Sequence, residues 1–400
     1  MLPSSPLFLK HSVDDTQETT KHLHVAQSNS CAASAIIYSK IPNPSHITVS
    51  LSLYIYLSLL QAMSICYRSR TRTISLQSHL IMAFQRHRSW LLLLALACLL
   101  YIAAAAAEAK RTGELTVFWG RNKDEGTLRE ACDTGLYNTV VISFLRVFGH
   151  GKYWTDLSGH PLHGIGADIK HCQSKGIPVF LSIGGGGNHY SLPSSASPEA
   201  VANHLWNAYL GGGSGDVFRP FGDAAVDGVD FYVDHGAPDN YDELARRLDY
   251  FNSMYYHATA KHVRLTATPR CAFPDRRLER ALETGLFERI HVRFYGDEEE
   301  RCSYKNGGVD GVVEEWEKWT ARYPGSQLYV GLAAAESGVP DGAPPPVEVY
   351  LKYLYYDLLP KVQKADNYGG IMIWDRFTDN RTGYSTAVKG WASCSYGGCV

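Results

Sequence analysis

The chain has 400 residues, with 38 basic and 40 acidic side chains and a formal net charge of −2. A balance so near neutrality excludes a protein built around nucleic acid or an anionic membrane surface, both of which require basic clusters. Residues 1–109 hold 8 of the basic and 4 of the acidic groups, so the remainder carries 30 against 36 and is mildly acidic.

Residues 1–81 are rich in Ser, Thr and Leu without a clear amphipathic period, and are expected to be a disordered upstream extension of the reading frame. Residues 82–109 read MAFQRHRSWLLLLALACLLYIAAAAAEA. Arg86 and Arg88 give a basic start, Trp90 to Ile102 an apolar core, and the alanines a small-residue end, which is the layout of a secretory signal. The apolar core is too short for a membrane span. Met82 is therefore the expected start and residues 110–400 the mature chain, secreted with no membrane tie after cleavage. Six of the nine cysteines lie in that part: Cys132, Cys172, Cys271, Cys302, Cys394 and Cys399. An even count behind a signal argues for disulfides, and no pair has the CxxC spacing of a zinc site. Asn380-Arg381-Thr382 is a glycosylation sequon, expected on a loop.

From Glu114 onward strand-like and helix-like stretches alternate. Strands are expected at 115–120, 139–149, 178–185, the stretch DGVDFYVDHG (227–236), 263–269, 289–296, 328–334 and 369–375. Helices are expected at 124–135, 166–176, 198–209, 240–258, 276–285, 309–322 and 346–364. The strands are nearly continuous apolar runs, as in a parallel sheet covered on both faces. Eight such units predict an α/β fold: a (β/α)8 TIM barrel in one domain, with its site at the C-terminal strand ends. The rival, an open doubly wound sheet, would carry a glycine-rich phosphate turn after the first strand. Here that turn reads FWGRNKDEG, with no GxGxxG. Gly184–Gly187 reads as a tight turn. His150, His160, His163 and His189 fall on loops without ligand spacing and are read as solvated. No metal and no cofactor is implied.

The stretches FWGRNKDEGTLREAC, SIGGG, DGVDFYVDHG, RLTATPRCAFPD, RFYG and NYGGIMIWDRF resemble the plant class III chitinases of glycoside hydrolase family 18, over residues 114–392. SGHPLHGIGADIKHCQSKG and FERIHVRFY are closer to the chitinase-like xylanase inhibitors of cereals within that family. The resemblance implies a barrel whose active members use the substrate's acetamide as nucleophile, an exception to the two-carboxylate scheme. Their fourth-strand motif is DxxDxDxE, in which the Glu protonates the leaving oxygen and the Asp before it orients the acetamide. Asp227 and Asp230 keep the first two places. Tyr232 stands where the orienting Asp belongs, and Asp234 where the acid belongs. Tyr232 cannot offset a developing positive charge, and Asp234 is one methylene short, a displacement of a kind that costs ~10²-fold. Arg121, Arg146 and Arg293 replace side chains that are commonly Gln, Asn and Gln, and are expected to charge the groove and in part to pair with Asp230 and Asp234. Tyr295 and Trp374 are either the groove aromatics or retained packing. The family pattern also implies disulfides Cys132–Cys172 and Cys271–Cys302. Cys394 and Cys399 either pair or end a free tail.

The resemblance implies a monomeric, non-catalytic inhibitor of microbial xylanases in plant defence, secreted to the apoplast. Arg270, in the loop after the fifth strand, matches an arginine that enters the cleft of family 11 xylanases, where a guanidinium can bridge two carboxylates. The alternative, a solvated loop Arg270, stays open. The stretch AAAESGVPDGAPPP lacks the lysine used against family 10 enzymes, so family 11 is expected first. Non-catalytic binding of chitin oligosaccharides on Trp374 and Tyr295, and slow chitinase activity through Asp234, are the other readings.

Overall fold

The computed structural model describes residues 92–100, 112–254, 262–296, 301–335 and 347–393. The expectations for residues 1–81, for most of 82–109, and for Cys394 and Cys399 lie outside these, as does most of the stretch 333–346. Residues 92–100, inside the expected signal, are helical with exposed leucines. No described helix is long and apolar enough to cross a membrane.

The strands are β1 Glu114–Trp119, β2 Thr139–Val147, β3 Trp154–Thr155, β4 Val179–Gly185, β5 Gly228–Val233, β6 Arg264–Ala267, β7 Phe287–Arg293, β8 Gln327–Ala333 and β9 Tyr368–Trp374. The order β1-β9-β8-β7-β6-β5-β4-β2 is closed by a β1–β2 pairing. Every one of these pairings is parallel, so the expected eight-stranded (β/α)8 barrel is present. The addition is β3, which pairs antiparallel with β2 and makes a hairpin where only a loop was expected. The fourth barrel strand is therefore β5.

The apolar runs fold this way because both faces of each strand are buried. Val117, Val140, Ile142, Val229 and Phe231 point outward into the layer between strands and helices. Alternate residues such as Phe118, Val141, Phe180, Tyr329 and Met372 fill the barrel interior, the period-two consequence of the pleat. At Gly228 a Cβ would stand 1.9 Å from the Arg264 carbonyl oxygen, so β5 can start there only with glycine.

Several helices are shorter or more broken than expected. The stretch 276–285 keeps only Glu279–Leu282 as helix, ending before Gly285 at φ 71°. The stretch 346–364 becomes Leu351–Tyr353, a π-helical turn Leu354–Leu358 and Leu359–Val362. Pro360 lacks an N–H and cannot donate the i→i−4 bond, which favours a widened turn before it. Asn380 lies within helix Arg376–Thr382, not on a loop as expected, though it is exposed. Both disulfides implied by the family pattern are present. Cys132–Cys172 ties helix Leu128–Asp133 to helix Ile165–Ser174, and Cys271–Cys302, 31 positions apart in sequence, closes a loop that contains β7.

Candidate functional site

The four positions of the altered motif do not share one environment. Asp227 sits at the opposite end of β5 from the others. Its Oδ2 accepts from Gln173 Nε2 (2.9 Å) and from the Val179 backbone N–H (2.8 Å), which pins a helix and β4 to the barrel floor. Asp230 is fully buried in the barrel interior. Its carboxylate accepts from Ser182 Oγ (2.7 Å), Thr266 Oγ1 (2.8 Å) and Thr268 Oγ1 (2.9 Å). No arginine is among these donors, so the expected pairing with Asp230 is replaced by three hydroxyls. Beneath it lies His291, also fully buried, with Nδ1 3.7 Å from Asp230 and neither ring nitrogen hydrogen-bonded. Burial holds its pKa below the ordinary value, against the pull of Asp230.

Tyr232 and Asp234 lie at the mouth and are held by one side chain. Arg293, at the end of β7, donates from Nη1 to Tyr232 Oη (2.7 Å) and from Nη2 to Asp234 Oδ1 (2.6 Å). A second bond runs from Nη1 to Asp234 Oδ2 (3.3 Å), which makes the ion pair two-pronged. The guanidinium carbon also stands 4.0 Å from the Tyr232 ring centroid. Arg293 is 5% exposed and Asp234 9%, so this charge pair works in a poorly solvated place. Burial alone would raise the Asp234 pKa, but Arg293 and then Arg270 outweigh it and hold the carboxyl below the usual range. Burial pushes the Tyr232 phenol up to about 12.

Arg270 joins the same cluster. Its Nε donates to Asp234 Oδ1 (3.3 Å), and its side chain is 32% exposed. The side chain leans into the mouth and remains about one-third exposed. Its loop is braced from behind. The Arg270 N–H donates to Asp275 Oδ2 (2.9 Å), Trp319 Nε1 donates to the Cys271 carbonyl (2.8 Å), and Cys271 is disulfide-bonded.

Arg121 and Arg146 converge elsewhere, on Asp156 of the β3 hairpin. Arg146 Nη1 donates to Asp156 Oδ2 (2.8 Å), Arg121 Nη1 donates to the Asp156 carbonyl (3.2 Å), and Arg121 stacks over Phe144 at 5.3 Å. Phe144 is 5.0 Å from the Tyr232 ring, so a run of guanidiniums and rings crosses the mouth from Arg121 to Arg293, and Asp234 links that run to Arg270. Trp374 is half-buried, hemmed by Phe118 (5.3 Å), Tyr232 (5.7 Å), Phe144 (6.1 Å) and Tyr295 (6.1 Å). Tyr295 is 6% exposed. Both aromatics are packed into the wall.

Sequence reasoning missed Asp156, Ser182, Thr266, Thr268 and His291. Ser182, Thr266, Thr268 and His291 fall inside the stretches that carry the family resemblance, but nothing in those stretches pairs them with Asp230; adjacent strands and the hairpin deliver them. His160 was read as solvated and is not. Its side chain is 8% exposed, and its Nε2 lies 3.1 Å from Glu125 and 2.9 Å from the Asn122 carbonyl. Glu125 is itself fully buried and receives the Gly120 and Asn122 N–H groups, which shapes the turn after β1. His150, His163 and His189 are exposed as expected.

Chemically, a general acid needs a raised pKa and an open line to the leaving oxygen. Asp234 has a lowered pKa and both oxygens committed to guanidinium groups. Among the described residues the mouth is lined by cations and packed aromatics.

The pattern of the glycosyl hydrolases family 18 matches residues 114–342. Xylanase inhibitor protein 1 of Oryza sativa subsp. japonica is 63% identical over 308 residues, 76% of this chain and 98% of that protein. An acidic endochitinase of Cicer arietinum is 40% identical over 298 residues, 73% of this chain and 96% of that protein. The crystal structure of the xylanase and alpha-amylase inhibitor protein XAIP-II from Scadoxus multiflorus is 33% identical, with a TM-score of 0.63 over 70% of this chain and 98% of that one. The family match runs from β1 past β8 and takes in β5 with its altered motif, and the chain belongs to the glycosyl hydrolases of family 18.

Proposed function

We propose that this chain is a secreted inhibitor of xylanases in plant defence and does not hydrolyse chitin. The observation that carries the second half is the fate of Asp234. A carboxylate gripped by Arg293 at 2.6 Å and 3.3 Å, with a lowered pKa, is poorly suited to deliver a proton. Tyr232 occupies the place where an acetamide would be oriented, and its hydroxyl accepts from the same guanidinium. The first half is supported by the 63% identity to a protein named as a xylanase inhibitor.

Within that reading, family 11 enzymes are the proposed targets and Arg270 the contact. Glycosidases of the common kind work with two carboxylates, which a guanidinium can bridge. Arg270 already answers a carboxylate at the mouth. When it swings to a xylanase, Asp234 keeps Arg293, so the exchange leaves no buried charge unpaired. An N-linked glycan on exposed Asn380 belongs to the same secreted reading. Chitin-oligosaccharide binding is disfavoured by the wall packing of Trp374 and Tyr295.

The test is a pair of assays on the secreted protein: residual activity of family 10 and family 11 xylanases, and turnover of a chitin tetramer. Competitive inhibition of a family 11 enzyme with no tetramer cleavage is expected. Steady tetramer turnover, or a whole panel of xylanases left untouched, overturns the reading.

A further inference from the structure

The β3 hairpin presents a tryptophan to solvent and fixes everything around it. Trp154 is 66% exposed, whereas Trp119, Trp206, Trp316 and Trp319 are buried and Trp374 half-buried. Its neighbours are clamped. Tyr153 lies flat on His204, rings 3.5 Å apart and 7° from parallel, and its hydroxyl donates to the Ala200 carbonyl (3.2 Å). Thr155 Oγ1 bonds Tyr209 Oη at 2.6 Å. Asp156 exchanges two backbone bonds with Phe144, each 3.0 Å, and takes Arg146 and Arg121 on its side. Helix Ser197–Tyr209 and strand β2 thus hold the hairpin from both sides, while the indole stands in solvent.

A rigid aromatic on a fixed scaffold loses little conformational freedom when covered, which is why Trp and Arg dominate the few residues that carry interface affinity. The surroundings say what would cover it. Lys152 is exposed beside it. Arg146, on β2, is paired with Asp156 at 2.8 Å and still keeps a 42% exposed side chain. The exposed lysine and the partly exposed arginine suit an acidic protein surface better than a neutral sugar, which gains nothing from them. The hairpin follows β2 at the same C-terminal end of the barrel as Arg270. We propose that Trp154, with Lys152 and Arg146, is a second anchor for the inhibited enzyme, seated on the acidic rim of its cleft while Arg270 enters the cleft itself. The proposal rests on the xylanase-inhibitor reading.

The experiment compares wild type, Trp154→Ala, Trp154→Phe and Arg270→Ala by thermal midpoint, by inhibition constant against one sensitive xylanase, and by tryptophan emission on titration. Trp154→Ala is expected to fold with an unchanged midpoint and to inhibit at least about 30-fold more weakly, the level that marks an anchor residue. Trp154→Phe should retain part of the inhibition. The wild-type emission should shift to the blue as xylanase is added, and the shift should vanish in Trp154→Phe. Full inhibition by Trp154→Ala, with Arg270→Ala impaired, overturns the second anchor and leaves the inhibitor reading standing. A blue shift produced by chitin or xylan oligosaccharides instead of xylanase overturns it in favour of a sugar platform. Failure of the wild type to inhibit any xylanase overturns both.

Discussion

Asp230 on β5 and Asp234 just past its end sit four residues apart, both nearly or wholly buried, and the molecule treats them in opposite ways. Asp230 lies inside the ladder. Its register partners on either side are Ser182 and Thr266, and both donate to it, so neutral hydroxyls from β4 and β6 carry its charge. Asp234 lies past the last rung. Its donors come from the end of β7 and the loop after β6, and both are cations. The difference separates fold from function. Inside the ladder, register dictates the neighbours, and a change there disturbs three strands. Beyond it, side chains arrive from loops, and a mouth can be refitted with arginines while the barrel stays closed.

The comparison breaks first if Arg293 proves dispensable. Arg293→Ala strands Asp234 beside a partly exposed Arg270, and removing one member of a buried pair costs about 3–5 kcal/mol. A loss at the lower end of that range is expected in urea unfolding, because Arg270 remains; a loss below about 1 kcal/mol would mean the pair is solvated. Next comes Arg270→Ala. It should leave stability nearly unchanged and weaken inhibition of a family 11 xylanase by roughly 30-fold or more, from the ~2–5 kcal/mol typical of a desolvated charge pair. Arg270→Lys should recover only part, since lysine lacks the planar fork. Equal constants for all three proteins would remove the strand-six loop from the contact.

On the other side of the comparison, Thr268→Val takes one of the three hydroxyls from Asp230. A hydrogen bond to a charged group is worth about 1.5–3 kcal/mol, and two donors remain, so a loss near the bottom of that range is expected with inhibition untouched. A variant that unfolds as wild type does would show that the cage is redundant.

The smallest effect is in acid. The Asp234 pKa is lowered in the folded state, so its contribution to stability is complete above the unfolded value of about 3.9 and is lost as pH falls through the folded pKa. Stability curves of wild type and Asp234→Asn should therefore converge below about pH 4 and separate above it. Parallel curves across that range would place Asp234 in ordinary solvent.

Much of this was legible beforehand. The eight apolar runs announce a parallel barrel because strands buried on both faces have no polar alternation to hide them. Tyr232, Asp234 and the arginines at strand ends stand out because they occupy motif positions. The rest was invisible for physical reasons. The hydroxyls around Asp230 are scattered over residues 182–268 and meet only through strand register. Asp156 lies in a hairpin whose strand is two residues long, too short to leave a pattern. His160 looks like a loop histidine because nothing local reveals that Glu125 waits beneath it. The sequon reads as a loop by composition, yet Asp375 caps a helix through Thr378 and carries Asn380 with it.

The chain as a whole is slightly negative, and among the described residues its mouth holds four guanidiniums, on Arg121, Arg146, Arg270 and Arg293, in ion pairs that include Asp156 and Asp234. Each of these guanidiniums is therefore already held by a carboxylate before any partner arrives. A partner's carboxylate has to compete with those pairs at close range, well inside the Debye length of about 8 Å at physiological salt.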